Sequence, residues 1–152
     1  MEEIIFSTPI GRLRLFLTPR GIYLLEKTDK PTKGKNSISE LILKFLQGER
    51  VEFQHLEIDW EDYSPLEKRI LKEVRKIPYG ETRTYLWLAK KTGNPRGARY
   101  MGRVLSLNRT PIIIPCHRVI RSDGRIGGYS WGKELKEFLL RLENIRIQNP
   151  SS

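Results

Sequence analysis

The 152-residue sequence contains a single cysteine, Cys116, and only two histidines. One cysteine excludes an internal disulfide and a cysteine-rich zinc site. No apolar run approaches the eighteen or so residues of a membrane-spanning helix. The segment Met1–Phe6 contains two acids and is soon followed by a proline and a glycine, so it does not resemble a signal or transit peptide. We therefore expect a soluble, cytoplasmic protein that does not enter a membrane.

Acidic residues are scarce in the second half of the chain. Residues 1–76 carry 14 basic and 13 acidic side chains, whereas residues 77–152 carry 14 basic and only 5 acidic ones. A solvated basic face is one interpretation of this asymmetry. A nucleic acid is the favoured partner, because cationic side chains that neutralise phosphates release counterions. An anionic membrane surface is less favoured, since no long amphipathic basic helix is present.

The first 60 residues have a pattern typical of an antiparallel sheet with one helix. Apolar or alternating runs at residues 4–6, 13–17 and 22–25 are separated by segments that contain proline and glycine. A helix is predicted over residues 37–47, with Ser37 as its N-cap. We assign residues 1–60 to an N-terminal α/β domain with a scaffold role.

Residues 61–152 have mainly helical periodicity. Ser64 and Pro65 predict the start of one helix, and short helices are predicted at residues 85–91 and 96–107. The two short helices are joined by a turn that contains glycine, and this predicts a helix-turn-helix, although any helical hairpin has a similar pattern. Its second helix carries the candidate DNA-binding arginines Arg96, Arg99 and Arg103.

The segment from Pro111 to Ile120 carries the candidate chemistry. Three isoleucines between two prolines predict a short buried strand that stops at Pro115. Cys116 follows this stop, so the thiol is expected at the floor of a pocket, where a nearby cation lowers its pKa. Neighbouring residues of a strand face opposite sides, so direct contact between Cys116 and His117 does not follow. The alternative is an inert buried cysteine beside a hydrogen-bonded histidine.

Two downstream features are candidates for the same site. The glycine-rich loop at residues 127–132 permits close approach of a ligand, and its aromatic rings can pack against a base. An ordinary hairpin is the alternative for this loop. Glu143, at the end of a helix that begins at Lys133, is placed to orient His117 as a carboxylate orients imidazole in a catalytic triad. An exposed helical glutamate is the alternative.

The sequence Pro115-Cys116-His117-Arg118-Val119 closely resembles the active-site signature of the O6-alkylguanine-DNA alkyltransferases. The resemblance covers about residues 64–145, whereas the N-terminal third matches only in general pattern. Further matches in the family's order and spacing are Tyr79-Gly80, Thr84-Tyr85, Leu88-Ala89, Gly93-Asn94-Pro95, Ala98-Arg99, Gly102, Asn108, Pro111, Gly124, Gly128-Tyr129-Ser130, Lys136, Leu139-Leu140 and Glu143.

This resemblance implies a fold and a reaction. The N-terminal domain would be ribonuclease-H-like, and the C-terminal domain would be mainly helical with a helix-turn-helix. The protein would be a monomeric DNA-repair enzyme that binds double-stranded DNA containing alkylated guanine and flips the damaged base out of the duplex. The alkyl group would pass from guanine O6, and less well from O4 of alkylated thymine, to Cys116 in one irreversible turnover. No metal or organic cofactor would be required.

The resemblance also implies a role for each matching residue. Glu143 would hold His117, which would draw the proton from Cys116 through water. Tyr85 would act as a general acid towards the guanine, and Asn108 would support the site as a hinge. Arg99 would replace the extruded base, and the other expected DNA-binding residues are Ala98, Arg96, Arg103 and Arg118. The expected residues of the substrate pocket are Val119, Tyr129, Ser130, Trp131 and Lys136.

The sequence departs from the family pattern at two positions, and two other classes of function are alternatives. Trp131 stands where many relatives carry glycine, which predicts a narrower pocket, and Asn108 is not directly followed by the usual proline. A cysteine hydrolase would use Cys116, His117 and Glu143 but would leave the basic helices without a purpose. A sequence-specific transcription regulator would use the basic helices and leave the cysteine idle.

Overall fold

A computed structural model describes residues 1–147 and divides the chain into two units. The first unit comprises Met1–Asp62 together with Arg109–Ile113, and the second begins with Tyr63–Asn108 and resumes at Ile114. The C-terminal domain was predicted to extend to Ser152, and its last five residues lie outside the described part of the chain.

The first unit contains a three-stranded antiparallel sheet. Its strands are β1 (Glu2–Thr8), β2 (Gly11–Thr18) and β3 (Gly21–Lys27), which lie in the order β1-β2-β3. Alternation places Leu13 and Leu15 on the covered face of β2, where neither is exposed to solvent. The predicted α/β class and the antiparallel N-terminal sheet are confirmed.

Helix α1 (Ser37–Leu46) lies in the same unit, and its cap differs from the one predicted. Asn36, not Ser37, is the N-cap residue: its side chain accepts a hydrogen bond from the Ser39 amide, and the Ser39 hydroxyl oxygen accepts one from the Asn36 amide. Both residues are capping types, and extended backbone at Asn36 decides between them, because an N-cap residue lies outside the helix.

The segment Arg109–Ile113 also belongs to the first unit. The amide of Leu25 in β3 donates to the carbonyl of Arg109 over 2.8 Å. The buried strand predicted for the three isoleucines is wrong, because this stretch forms a turn in which Ile112 has a φ of 77°. The isoleucines are fully covered nonetheless. A short apolar run predicts burial reliably, but it does not determine the backbone conformation.

The second unit is mainly helical. Helix α2 (Pro65–Arg75) is capped by Ser64 as predicted. The later elements are β4 (Arg83–Thr84), α3 (Tyr85–Lys91), α4 (Ala98–Leu105), a 3-10 turn (Cys116–Arg118), β5 (Val119–Ile120) and α5 (Lys133–Leu142), with β4 and β5 paired in parallel. Helix α4 begins two residues later than predicted, because Gly97 precedes it with a φ of 79°. Among the described residues, no helix is long and apolar enough to cross a membrane.

Candidate active site

A cleft of about 880 Å³ opens in the second unit beside α3, α4 and the glycine-rich loop. Cys116 reaches this cleft although only 5% of its surface is exposed. The remaining lining is a mixture of cationic, aromatic and small residues: Tyr85, Ala98, Arg99, Gly102, Leu105, Ser106, Arg121, Gly127, Gly128, Tyr129, Ser130 and Lys133. The cleft therefore combines a recessed thiol with planar rings and a positively charged rim.

The thiol is held by its own chain and by Asn108. The Cys116 amide donates to the carbonyl of Ile114 over 2.7 Å. The Asn108 side-chain amide donates to the same carbonyl over 3.0 Å and to the Cys116 Sγ over 3.2 Å. Burial raises the pKa of the Cys116 thiol, and the Asn108 hydrogen bond and the positive charge of Lys136 oppose this effect. The thiol is therefore protonated at neutral pH, and a base must remove its proton before it reacts as a thiolate.

His117, the residue that follows Cys116, is fully buried beside Glu143. The imidazole Nε2 lies 2.6 Å from Glu143 Oε2, and neither side chain is exposed. Burial lowers the pKa of His117, so the ring is neutral at neutral pH. A neutral imidazole that donates from Nε2 to a carboxylate keeps its lone pair on Nδ1. His117 is thus in the tautomer that accepts a proton at Nδ1.

Glu143 is kept ionised by the groups around it. Burial alone would raise the pKa of Glu143, but hydrogen bonds from His117 and Arg118 hold it below its usual value. The backbone amide of Gly80 adds a further hydrogen bond of 2.9 Å. A charged carboxylate at this position stabilises an imidazolium if His117 takes up a proton.

The position of Arg118 differs from the prediction that this residue contacts DNA. The residue is 3% exposed, and its Nε and Nη2 donate to Glu143 over 2.9 and 3.1 Å. Its Nη1 donates to the carbonyl of Ile77 over 2.7 Å. The guanidinium therefore faces the interior, where it compensates the buried carboxylate. A buried carboxylate needs such a partner, because an unpaired charge in the interior is strongly destabilising.

Tyr85 presents a phenol to the cleft from the first turn of α3. Burial raises the pKa of Tyr85 to about 12, so the phenol keeps its proton at neutral pH. Lys136 approaches it from α5, with Nζ 3.2 Å from the phenol oxygen. The lysine is fully buried, and burial lowers its pKa to about 8. Because Nζ donates to the phenol oxygen, the phenol proton remains available to another acceptor.

Several predicted residues lie behind the lining or beside it. The carbonyl of Val119 accepts from Lys136 Nζ over 2.7 Å, so both residues support Tyr85 without forming the cleft wall. The Trp131 ring packs edge-on against Tyr129, with 6.3 Å between ring centroids. Arg96 and Arg103 stack on Tyr100 on the exposed side of α4 and do not line the cleft.

Five residues of the cleft were not predicted to belong to the site. Arg121 and Lys133 contribute cations, and Gly102, Leu105 and Ser106 contribute part of the wall beside α4. The excess of basic residues over positions 77–152 was the available signal for the two cations. Among the described residues, no three His, Cys, Asp or Glu side chains cluster as metal ligands would.

Comparisons with known proteins identify the family. The profile of the family described as "6-O-methylguanine DNA methyltransferase, DNA binding domain" matches residues 65–145. A probable methylated-DNA–protein-cysteine methyltransferase of Acanthamoeba polyphaga mimivirus is 37% identical over 152 residues, which cover 97% of this chain and 100% of that protein. The chain therefore belongs to the 6-O-methylguanine DNA methyltransferase family.

Two further comparisons extend over nearly the whole chain. A DNA base-flipping protein of Thermus thermophilus is 35% identical over 144 residues, which cover 90% of this chain and 95% of that protein. The crystal structure of Mycobacterium tuberculosis OGT in complex with DNA is 30% identical, with a TM-score of 0.82, 95% of this chain covered and 93% of that chain. Other curated relatives are 48% and 52% identical over 77 and 82 residues, and the chain spans about half of their length.

Proposed function

We propose that the protein repairs DNA by transferring an alkyl group from O6 of guanine to the Sγ of Cys116. The transfer is irreversible and occurs once for each molecule, and O4-alkylthymine is a poorer substrate. The observation that carries this proposal is a recessed thiol, hydrogen-bonded by Asn108, in a cleft lined by a protonated phenol and a cationic rim. Membership of the family supports it.

The chemistry follows from the protonation states of the site. His117 accepts the Cys116 proton through a water molecule, and Glu143 stabilises the resulting imidazolium. The thiolate then attacks the alkyl carbon in line, so that a carbon–sulfur bond forms as the bond from carbon to guanine O6 breaks. The electron pair of the broken bond goes to the guanine, where Tyr85 donates its proton. The products are a stable thioether on the protein and an unmodified guanine.

DNA binding in this proposal uses helices α3 and α4 as a helix-turn-helix. Helix α4 enters the minor groove, the small side chain of Ala98 permits close approach, and Arg99 takes the place of the flipped base. Both residues line the cleft, and Arg99 is exposed. Arg103 lies on α4 and Arg96 in the turn that precedes it, and both contact phosphates. The N-terminal unit is a ribonuclease-H-like scaffold, with its sheet and α1 as the supporting observation.

One incubation with duplex DNA that carries a radiolabelled O6-methylguanine tests the proposal. Wild-type protein should acquire one label per molecule and then stop, and Cys116→Ser should bind the duplex without acquiring label. Continued turnover would instead indicate a cysteine hydrolase. Binding by the wild type without any label on protein would indicate a protein that recognises DNA without repairing it.

A further inference from the structure

A five-residue excursion interrupts the second unit directly beside the thiol. The chain leaves this unit after Asn108, runs through the first unit as Arg109–Ile113, and resumes in the second unit at Ile114. Both residues that flank the excursion hold Cys116, since Asn108 donates to its Sγ and Ile114 accepts from its amide. The position of the thiol therefore depends on the two residues on either side of this excursion.

Arg109, the first residue of the excursion, is fixed in the first unit by both its backbone and its side chain. Its guanidinium carbon lies 4.0 Å from the centroid of the Tyr23 ring. Nε donates to the carbonyl of Tyr23 over 3.1 Å, and Nη2 donates to the carbonyl of Asp59 over 3.0 Å. The Arg109 carbonyl accepts from Leu25 over 2.8 Å. Only a planar, forked cation stacks on a ring and reaches two separate carbonyls at once.

We propose that Arg109 is a positioning residue for alkyl transfer, which fixes the backbone that carries Asn108 and so keeps the Asn108 amide on the Cys116 Sγ. Asn108 and Arg109 share a peptide bond, so a shift of the Arg109 backbone is transmitted to the asparagine. A hydrogen bond of 3.2 Å to sulfur weakens steeply when its donor moves. The proposal rests on the proposed function for the reaction, but the reactivity of the thiol can be measured without DNA.

The first experiment measures the rate of Cys116 alkylation by iodoacetamide as a function of pH in the 152-residue protein. Arg109→Ala should shift the rate profile to higher pH and lower the rate at pH 7.5 by about threefold to tenfold, because a hydrogen bond to the thiolate is weakened. The matched control is Arg14→Ala. Arg14 lies in the sheet of the same unit, stacks on Phe16 at 5.2 Å and pairs with Glu3 and Glu26.

Arg14→Ala should lower the melting temperature without moving the thiol profile. Equal shifts in both variants would show a merely structural effect and would overturn the proposal. The second readout is a double-mutant cycle. If Arg109 acts through Asn108, then Arg109→Ala should cause no further change in an Asn108→Ala background, whereas additive effects would contradict the proposal.

Alkyl transfer from O6-methylguanine duplex supplies the third readout. Arg109→Ala should lower the maximal single-turnover rate while leaving the affinity for duplex unchanged.

If Arg109→Ala does not fold, Arg109→Lys replaces it in these experiments. Lysine retains a positive charge but lacks the forked guanidinium, so the pH profile of iodoacetamide alkylation should shift in the same direction by a smaller amount. A folded lysine variant with the wild-type profile would overturn the proposal. If the wild type transfers no alkyl group but the iodoacetamide profile shifts, the proposed function fails and the positioning role stands.

Discussion

Lys136 donates from Nζ to the phenol oxygen of Tyr85 over 3.2 Å, although the lysine is completely buried. The same Nζ donates to the carbonyls of Val119 and Gly128 over 2.7 and 3.1 Å, so three oxygens compensate the buried amine. This arrangement connects α5, the glycine-rich loop and α3 through one atom. It also fixes the phenol with its proton available to the cleft, as the proposed general acid requires.

Gly127→Ala should disturb Tyr85 and slow the proposed transfer. Gly127 has a φ of 79°, and an added Cβ would lie 2.9 Å from the Tyr85 hydroxyl oxygen. We expect a loss of about 1–2 kcal/mol in the free energy of unfolding, because a side chain is strained in the left-handed region. We also expect a lower single-turnover rate, since the ring must move. Chemical denaturation and quenched-flow transfer measure the two effects.

The neighbouring Gly128→Ala is the matched control. Gly128 has no atom within 4 Å of the position of an added Cβ, and it does not adopt a positive φ. Its free energy of unfolding should stay near the wild-type value. Equal losses in the two variants would show that the loop, and not the contact with Tyr85, is responsible.

Arg99→Ala should slow the repair of duplex DNA more than the reaction with the free base O6-benzylguanine. Arg99 is an exposed residue of the cleft, and only the duplex requires extrusion of the base. The control is Arg96→Ala, because Arg96 stacks on Tyr100 outside the cleft. Arg96→Ala should weaken duplex binding and leave the transfer rate at saturating DNA unchanged. If Arg99→Ala slowed the reactions with both substrates equally, Arg99 would have no role in flipping the base.

Trp131→Ala should increase reactivity towards a bulky adduct. The Trp131 ring packs against Tyr129, and Tyr129 lines the cleft, so removal of the indole gives the phenol ring room to move. We expect a larger rate with O6-benzylguanine relative to O6-methylguanine. Trp87→Ala is the control, since Trp87 is 36% exposed on α3 and does not line the cleft. If the ratio of the two rates is unchanged in Trp131→Ala, the indole does not limit the size of the adduct that the pocket accepts.

The buried Lys136 predicts a pH dependence of stability. Its pKa falls from 10.5 to about 8 on folding, so the unfolded chain binds more protons between these values. Stability attributable to Lys136 therefore rises with pH over this range. Between pH 8 and pH 9.5 the free energy of unfolding should rise by about 1–2 kcal/mol more in Cys116→Ser than in Cys116→Ser/Lys136→Met. The cysteine is removed from both variants because its own titration has the opposite sign. Parallel curves of unfolding free energy against pH in the two variants would contradict a lowered pKa of the buried Lys136.

Local patterns in the sequence predicted most of the secondary structure. Alternation at Leu13 and Leu15 identified a strand, and the helix predicted at residues 85–91 coincides with α3 (Tyr85–Lys91). These features depend on neighbours within a few residues along the chain. The cap at Asn36 and the turn at Ile112 were missed, because several residue types satisfied the local pattern equally well.

The sequence by itself determined the family, through a cysteine motif that is contiguous and unusual, and it determined the positive charge of the second half. Only the tertiary structure decided that Arg118 turns inward to Glu143, that Lys136 supports Tyr85, and that Arg109 is anchored on Tyr23. The paired residues are separated by 25, 51 and 86 positions. No local pattern records such a pairing, because a buried charge finds its partner only when distant segments pack and exclude water.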